Sequence, residues 1–228
     1  MLDRKVFIHI PKNAGMTIRR SPVLRNRVIL CGQANHKSPE YSQRVLETMN
    51  KHGDHHGFEH ARWRDVKPGV TRGHDCFAII RNPWDRVVSR YFFAKKVIEV
   101  EQKQPASYAD VSSFEAFLEE RHKWGGVKYM WHRAVRGWYT QLDHVTDKQG
   151  KVRCDLLRLE DLDNDLKKYF KILKMSEPRN VTAMNKGSYQ DIYTKETIQI
   201  VADWYKDDID YFGFDFDTAA QKNYWSAQ

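Results

Sequence analysis

The sequence predicts an α/β protein with a largely parallel sheet. Short apolar runs at 4–10, 28–31, 75–80 and 152–159 alternate with stretches whose apolar residues recur at helical spacing. Each run is closed by a proline, a glycine or a cluster of polar turn residues, which fits single buried strands joined by helical crossovers. The 228 residues, 41% hydrophobic and 13% aromatic, suffice for one domain with its own core and exclude wholesale disorder.

Residues 4–10 form the first predicted strand, stopped by Pro11. A tight loop at 12–17 leads into a short helix running to about Arg25, and Val28–Cys31 is a second strand bounded by Gly32. A helix over 39–51 follows, with Ser38 as its N-cap and Pro39 at its first position. A His-rich stretch at 52–60 and polar loop to Gly73 precede a third strand at 75–80, which ends at Arg81-Asn82-Pro83. The next helix carries Trp84, Val87, Val88, Tyr91 and Phe92 on one stripe. Further helices are predicted at 113–123, from a Ser112-x-x-Glu115 capping box, and at 128–140. A strand at 152–159, a helix at 161–173 and a last helix from Thr194 follow. That last helix aligns Ile198, Val201, Ala202, Tyr205 and Ile209.

Lys and Arg number 38 against 30 Asp and Glu, a net charge of +8, with a pI near 9.3. This favours an anionic partner without identifying it. The charges are interspersed and no nucleic-acid-binding signature is present, so nucleic acid is not expected as a partner. No stretch approaches a membrane span, and the N-terminus lacks the pattern of a signal peptide. Three scattered cysteines form neither a disulfide framework nor a paired metal motif. These observations place the chain, as an expectation, in a reducing cytoplasmic setting.

Two segments carry chemistry. In the first, Pro11-Lys12-Asn13-Ala14-Gly15-Met16-Thr17-Ile18 links a strand to a helix N-terminus, where unpaired backbone N–H groups and the helix dipole favour an anion. Gly15 admits a close backbone approach, Lys12 supplies a cation and Thr17 a hydroxyl. The Lys precedes the Gly and a second Gly is missing, so this is not a Walker A loop. In the second, Arg81-Asn82-Pro83-Trp84-Asp85-Arg86-Val87-Val88-Ser89 puts an Arg at a strand's carboxyl end and a Ser two turns into the following helix. That pair suits a second phosphate. The same spacing also allows Arg81 to pair with Asp85 and leaves Ser89 simply exposed.

Together the two segments resemble the sulfotransferases that use 3′-phosphoadenosine 5′-phosphosulfate (PAPS). Phe7-Ile8-His9-Ile10-Pro11-Lys12-Asn13-Ala14-Gly15-Met16-Thr17 is similar to the form found in the carbohydrate (Golgi-type) sulfotransferase branch and its soluble bacterial relatives, with Asn13 and Met16 each replacing a Thr. Phe58-Glu59-His60-Ala61-Arg62, Leu156–Leu162, Asn185-Lys186-Gly187-Ser188 and Asp208–Phe214 continue the likeness in order, from residue 6 to about 216. The resemblance implies one sulfotransferase domain over 1–228, a P-loop-NTPase-like three-layer fold, and a helical acceptor-binding lobe at roughly 94–150. It implies in-line transfer of the sulfuryl group of PAPS to an acceptor hydroxyl, on a carbohydrate or small metabolite, leaving adenosine 3′,5′-bisphosphate and requiring no metal.

By the same resemblance, Lys12, Asn13, Ala14, Gly15, Met16, Thr17 and Ile18 hold the 5′-phosphosulfate, with Lys12 also stabilising the leaving oxygen. Arg81 and Ser89 hold the 3′-phosphate, and Lys186 and Ser188 close over it. His60 is the expected base, with Glu59 and His74 in reserve, while His9 is expected to pack and shape the loop. Trp131, Trp138 and Tyr139 suit either an acceptor lobe or the core, with the core favoured for at least two. His56-Gly57-Phe58-Glu59-His60 formally matches a zinc signature, H-x-x-E-H. Gly53 and Gly57 weaken the helix it needs and no third ligand motif follows, so no metal site is expected beyond an incidental one at His52, His55 and His56. The competing reading is a non-catalytic protein that uses the same phosphate loops to bind a polyanion or nucleic acid.

Overall fold

The computed structural model describes residues 4–31, 39–52, 59–127, 130–174 and 187–217. In chain order the elements are β1 (Lys5–Ile8), α1 (Gly15–Arg20), β2 (Val28–Leu30), α2 (Pro39–His52), α3 (Pro68–Thr71), β3 (Cys76–Ile80) and α4 (Pro83–Lys95). They continue with α5 (Phe114–Trp124), α6 (Gln141–Val145), β4 (Asp155–Arg158), α7 (Leu162–Phe170), α8 (Lys195–Trp204) and α9 (Lys206–Phe212). The described residues fall into two compact units. One runs through residue 80 and resumes at 141–174; the other comprises 81–140 and 187–217.

The first unit holds the sheet. Its four strands are parallel in the order β2-β1-β3-β4, as the alternation of short strands and helices predicts. All five residues of β3 are buried, which is why it reads as a continuous apolar run. Phe7, Ile18, Leu24, Val28, Phe77, Ile79, Leu157, Leu162, Leu166 and Phe170 form its core. The strand order reverses between β1 and β3, so the loop leaving β1 opens at the switch point where open α/β sheets bind ligands.

The second unit is helical among its described residues. Asn82 caps α4, its side chain accepting from the Trp84 amide at 3.0 Å, and Pro83 occupies the first helical position. Trp84, Val87, Val88 and Tyr91 are buried along the predicted stripe. A π-helical turn, Lys96–Val100, extends α4. Of the expected lobe at 94–150, the residues through 140 belong to this helical unit, whereas α6 belongs to the sheet unit.

Several elements differ from their sequence reading, each for a physical reason. The first helix stops at Arg20 rather than near Arg25 because Pro22 forces Ser21 into extended backbone. The cap of α5 is Ser113, which accepts from Ala116 N; Ser112 instead donates to Asp110 at 2.6 Å. The predicted helix at 128–140 is, in its described residues, a 3-10 turn at Met130–His132 followed by irregular chain. There the buried Arg90 guanidinium takes the carbonyls of Ala134 (3.1 Å) and Val135 (2.6 Å). The last helix begins at the Thr194 cap as expected but breaks at Tyr205 into α8 and α9. Ser38 lies outside the described residues.

Candidate active site

The loop after β1 is strained and rich in open amides. Lys12 (φ 70) and Ala14 (φ 55) both adopt left-handed backbone, which costs a residue with a side chain on the order of 1 kcal/mol each. Such alternation turns successive N–H groups toward one point, a concave nest suited to an anion. Asn13 N–H returns to Ile10 O, and the Thr17 and Ile18 amides return to Ala14 O. The Ala14, Gly15 and Met16 amides make no hydrogen bond among the described residues, and they head α1.

What holds this loop was only partly legible. Asn13, fully buried, donates through Nδ2 to Ile79 O (2.7 Å) on β3 and to Gln141 Oε1 (2.6 Å) on α6. Its side chain therefore pins the loop to the sheet. Ile18 is buried in the core, so neither its side chain nor its bonded amide is open to a ligand. Thr17, Met16 and Lys12 are half-buried. Gly15 is required by a neighbour: a Cβ there would lie 1.6 Å from His9 Nε2. Its φ is not positive, so the need is for space rather than conformational freedom.

His9 is buried, stacked against Phe7 with centroids 5.3 Å apart and tilted on His60 at 4.2 Å. It packs and shapes the loop, as expected. Burial lowers its pKa, opposed by Glu59 and reinforced by the nearby positive charges of Arg19 and Lys12.

His60 follows in a turn whose ring Nδ1 lies 2.9 Å from His9 O. A carbonyl only accepts, so Nδ1 carries the proton and the neutral ring's lone pair sits on Nε2. Beside it, the Glu59 carboxylate is 3% exposed. Its oxygens lie 3.5 Å from His9 Nδ1, 4.0 Å from His60 Nε2 and 3.4 Å from Arg19 Nη1. Burial alone would raise its pKa, but His9, His60 and Arg19 outweigh that and hold it at about 2. Glu59 is thus a carboxylate at neutral pH.

The segment after His60 is clamped to α6. Arg62 bridges Asp65 (2.6 Å) and Asp143 (3.2 Å), and Arg64 also reaches Asp143. Gln141 and Asp143, which belong to no motif, therefore let one short helix hold both the loop and the His60 segment. His74 lies elsewhere: it precedes β3 and contacts Arg4 O at 3.1 Å, at the amino-terminal edge of the sheet, opposite the β1 loop.

In the helical unit, Arg81 makes a two-point pair with Asp85, Nε to Oδ2 and Nη2 to Oδ1, both 2.7 Å. This is the pairing that the spacing allowed. It presents a fixed guanidinium plane, with Ser89 half-buried two turns along α4. A cleft of about 260 Å³ is lined by Val88, Phe92, Gly187, Ser188, Asp191 and Ile192, which brings Ser188 to the side of α4. Lys186 lies outside the described residues, as do His55, His56 and Gly57. Trp131 and Trp138 are core residues, 2% and 3% exposed, whereas Tyr139 is half-buried.

A parallel sheet whose order reverses beside a strained, amide-rich loop at a helix N-terminus is an architecture that receives phosphorylated ligands. The chain belongs to the sulfotransferase family, whose model matches residues 3–215, and it is a transferase of sulfuryl groups. No curated protein and no solved structure matches it significantly. Among the described residues no helix is long and apolar enough to cross a membrane.

Proposed function

We propose that the protein transfers the sulfuryl group of PAPS to an acceptor hydroxyl, on a carbohydrate or small metabolite, with His60 as the base. The observation that carries this reading is the contact between His60 Nδ1 and the His9 carbonyl. Nδ1 is committed to His9 O at 2.9 Å, which leaves Nε2 as the proton acceptor.

The β1 loop fits the anionic end of such a donor. The Ala14, Gly15 and Met16 amides are donors and the Lys12 ammonium a charge, in a loop whose sequence contains no Asp or Glu. When bound, PAPS supplies the activated sulfuryl group. Lys12 and the loop amides hold its 5′ end, with Thr17 adding a hydroxyl, and Lys12 neutralises charge on the departing phosphate oxygen. Arg81, Ser89 and Ser188, with Lys186, hold the 3′-phosphate. His60 Nε2 accepts the acceptor's proton as its oxygen attacks sulfur.

Thermal unfolding with adenosine 3′,5′-bisphosphate, against ATP and AMP, tests the donor site. A ligand at 100 times its Kd adds roughly 2.7 kcal/mol. Lys12→Ala should lose most of this stabilisation and most turnover. His60→Ala should keep the stabilisation and lose turnover by 10²-fold or more, the usual worth of a general base. Full turnover in His60→Ala would remove the base assignment. A shift shared equally with ATP would favour a general polyanion site instead.

A further inference from the structure

The set His9, Glu59 and His60 has a second chemical capacity, since one donor atom from each lies within 4.8 Å of the others. We propose that these three side chains bind a divalent transition-metal ion of the zinc class, and that occupancy switches the enzyme off. The inhibitory half rests on His60 being the base; the binding half does not.

Two imidazoles and a carboxylate suit Zn²⁺, with bonds of about 2.0–2.2 Å and hence donor separations of roughly 3.3–3.5 Å at tetrahedral angles. The His9 Nδ1–Glu59 Oε1 separation is 3.5 Å and the His60 Nε2–Glu59 Oε2 separation 4.0 Å. Both are long for hydrogen bonds; with one donor atom from each side chain the three lie within 4.8 Å of one another, so around an ion they close by up to roughly 1.5 Å. His9 Nδ1 is itself a buried nitrogen without a hydrogen-bond partner. It is turned toward Glu59 because the opposite ring nitrogen is packed against Gly15. His60 has the outer-shell bond that a ligating histidine needs, its Nδ1–H donated to the His9 carbonyl. The His60 side chain is 14% exposed, so one of the three ligands reaches solvent.

The opposing group is Arg19, 3.4 Å from Glu59 Oε1. Its charge competes with a dication for the carboxylate, so metal affinity is set by how readily Arg19 swings away. An ion that is bound takes the Nε2 lone pair of His60, which then accepts no proton. The metal here is an inhibitor, not a participant in transfer.

The test titrates the metal-free chain calorimetrically with Zn²⁺, and with Co²⁺ by its visible absorption, in the absence of sulfuryl donor and acceptor. One ion per chain is expected. His60→Gln and Glu59→Gln should weaken it by at least about tenfold, and Arg19→Ala should tighten it by at least about tenfold. A variant with His52, His55 and His56 replaced by Ala should retain the site. Circular dichroism of each variant checks folding; if Glu59→Gln unfolds, His60→Gln and Arg19→Ala decide. No uptake by the wild-type chain overturns the proposal, as does binding that survives His60→Gln and disappears with the three other histidines. Turnover then reads the second half. Inhibition that follows occupancy and is reversed by a chelator supports it, whereas full turnover at full occupancy overturns it and counts against His60 as the base while leaving the metal site standing.

Discussion

Replacing Gly15 by Ala separates a structural glycine from a ligand-approach glycine. The new Cβ would sit 1.6 Å from His9 Nε2 and 2.2 Å from both Cδ2 and Cε1. Ordinary contact requires more than twice the 1.6 Å separation, so the ring must move by roughly 2 Å. It has little room to do so, because His9 is 6% exposed and wedged against Phe7 and His60. Overpacking of this kind costs about 1–3 kcal/mol, and the fixed backbone puts Gly15→Ala at the upper end. For a chain of this length a loss of about 3 kcal/mol lowers Tm by roughly 6–12 °C. His9→Ala removes the clashing ring, so the double variant should be more stable than the sum of the single effects by about 1–3 kcal/mol. The assay is thermal or urea unfolding without any ligand. A Gly15→Ala chain as stable as wild type, or a double variant that is simply additive, would refute the reasoning. In that case the glycine would serve ligand approach alone, and only bisphosphate binding would suffer.

Other outcomes follow from single contacts. Arg90→Met strands the Ala134 and Val135 carbonyls and the Tyr205 hydroxyl, which Arg90 Nη1 now meets at 2.8 Å. It should destabilise the protein by about 3 kcal/mol or more in urea unfolding; a loss under about 1 kcal/mol would show those carbonyls rehydrate freely. Asn13→Ala removes the donor that Gln141 Oε1 and Ile79 O accept from and should cost about 1–3 kcal/mol in stability together with weaker bisphosphate binding. Asp143 tests the acid side. Burial alone would raise its pKa, but His144, Arg62 and Arg64 outweigh this and hold it below the usual carboxylate value. Its contribution is therefore present at neutral pH and fades as pH falls below the unfolded value toward the folded one. Asp143→Asn should be less stable at pH 7 and lose less stability between pH 5 and 3 than wild type; parallel curves would contradict the network.

Local pattern carried much of this protein. Apolar runs of strand length set between helical periods fixed an α/β fold, because strands buried on both faces must be continuously apolar and a parallel order needs crossovers. The stripe on α4 and the Thr194 cap were equally legible, since both depend on residues within a few positions of one another. The tight turn from β1 into a helix was legible for the same reason: its Pro, Lys, Gly and following helix are contiguous. Tertiary structure decided what long-range contacts decide. Arg90 draws the carbonyls of 134 and 135 to itself, which a helical period at 128–140 does not reveal. Asn13 turns inward because Ile79 and Gln141, 66 and 128 positions away, offer acceptors. Gly15 is a glycine on account of His9, six residues before it. The set of His9, Glu59, His60 and Arg19 exists only where the strand, the turn after the His-rich stretch and the first helix meet, and no spacing along the chain encodes that meeting.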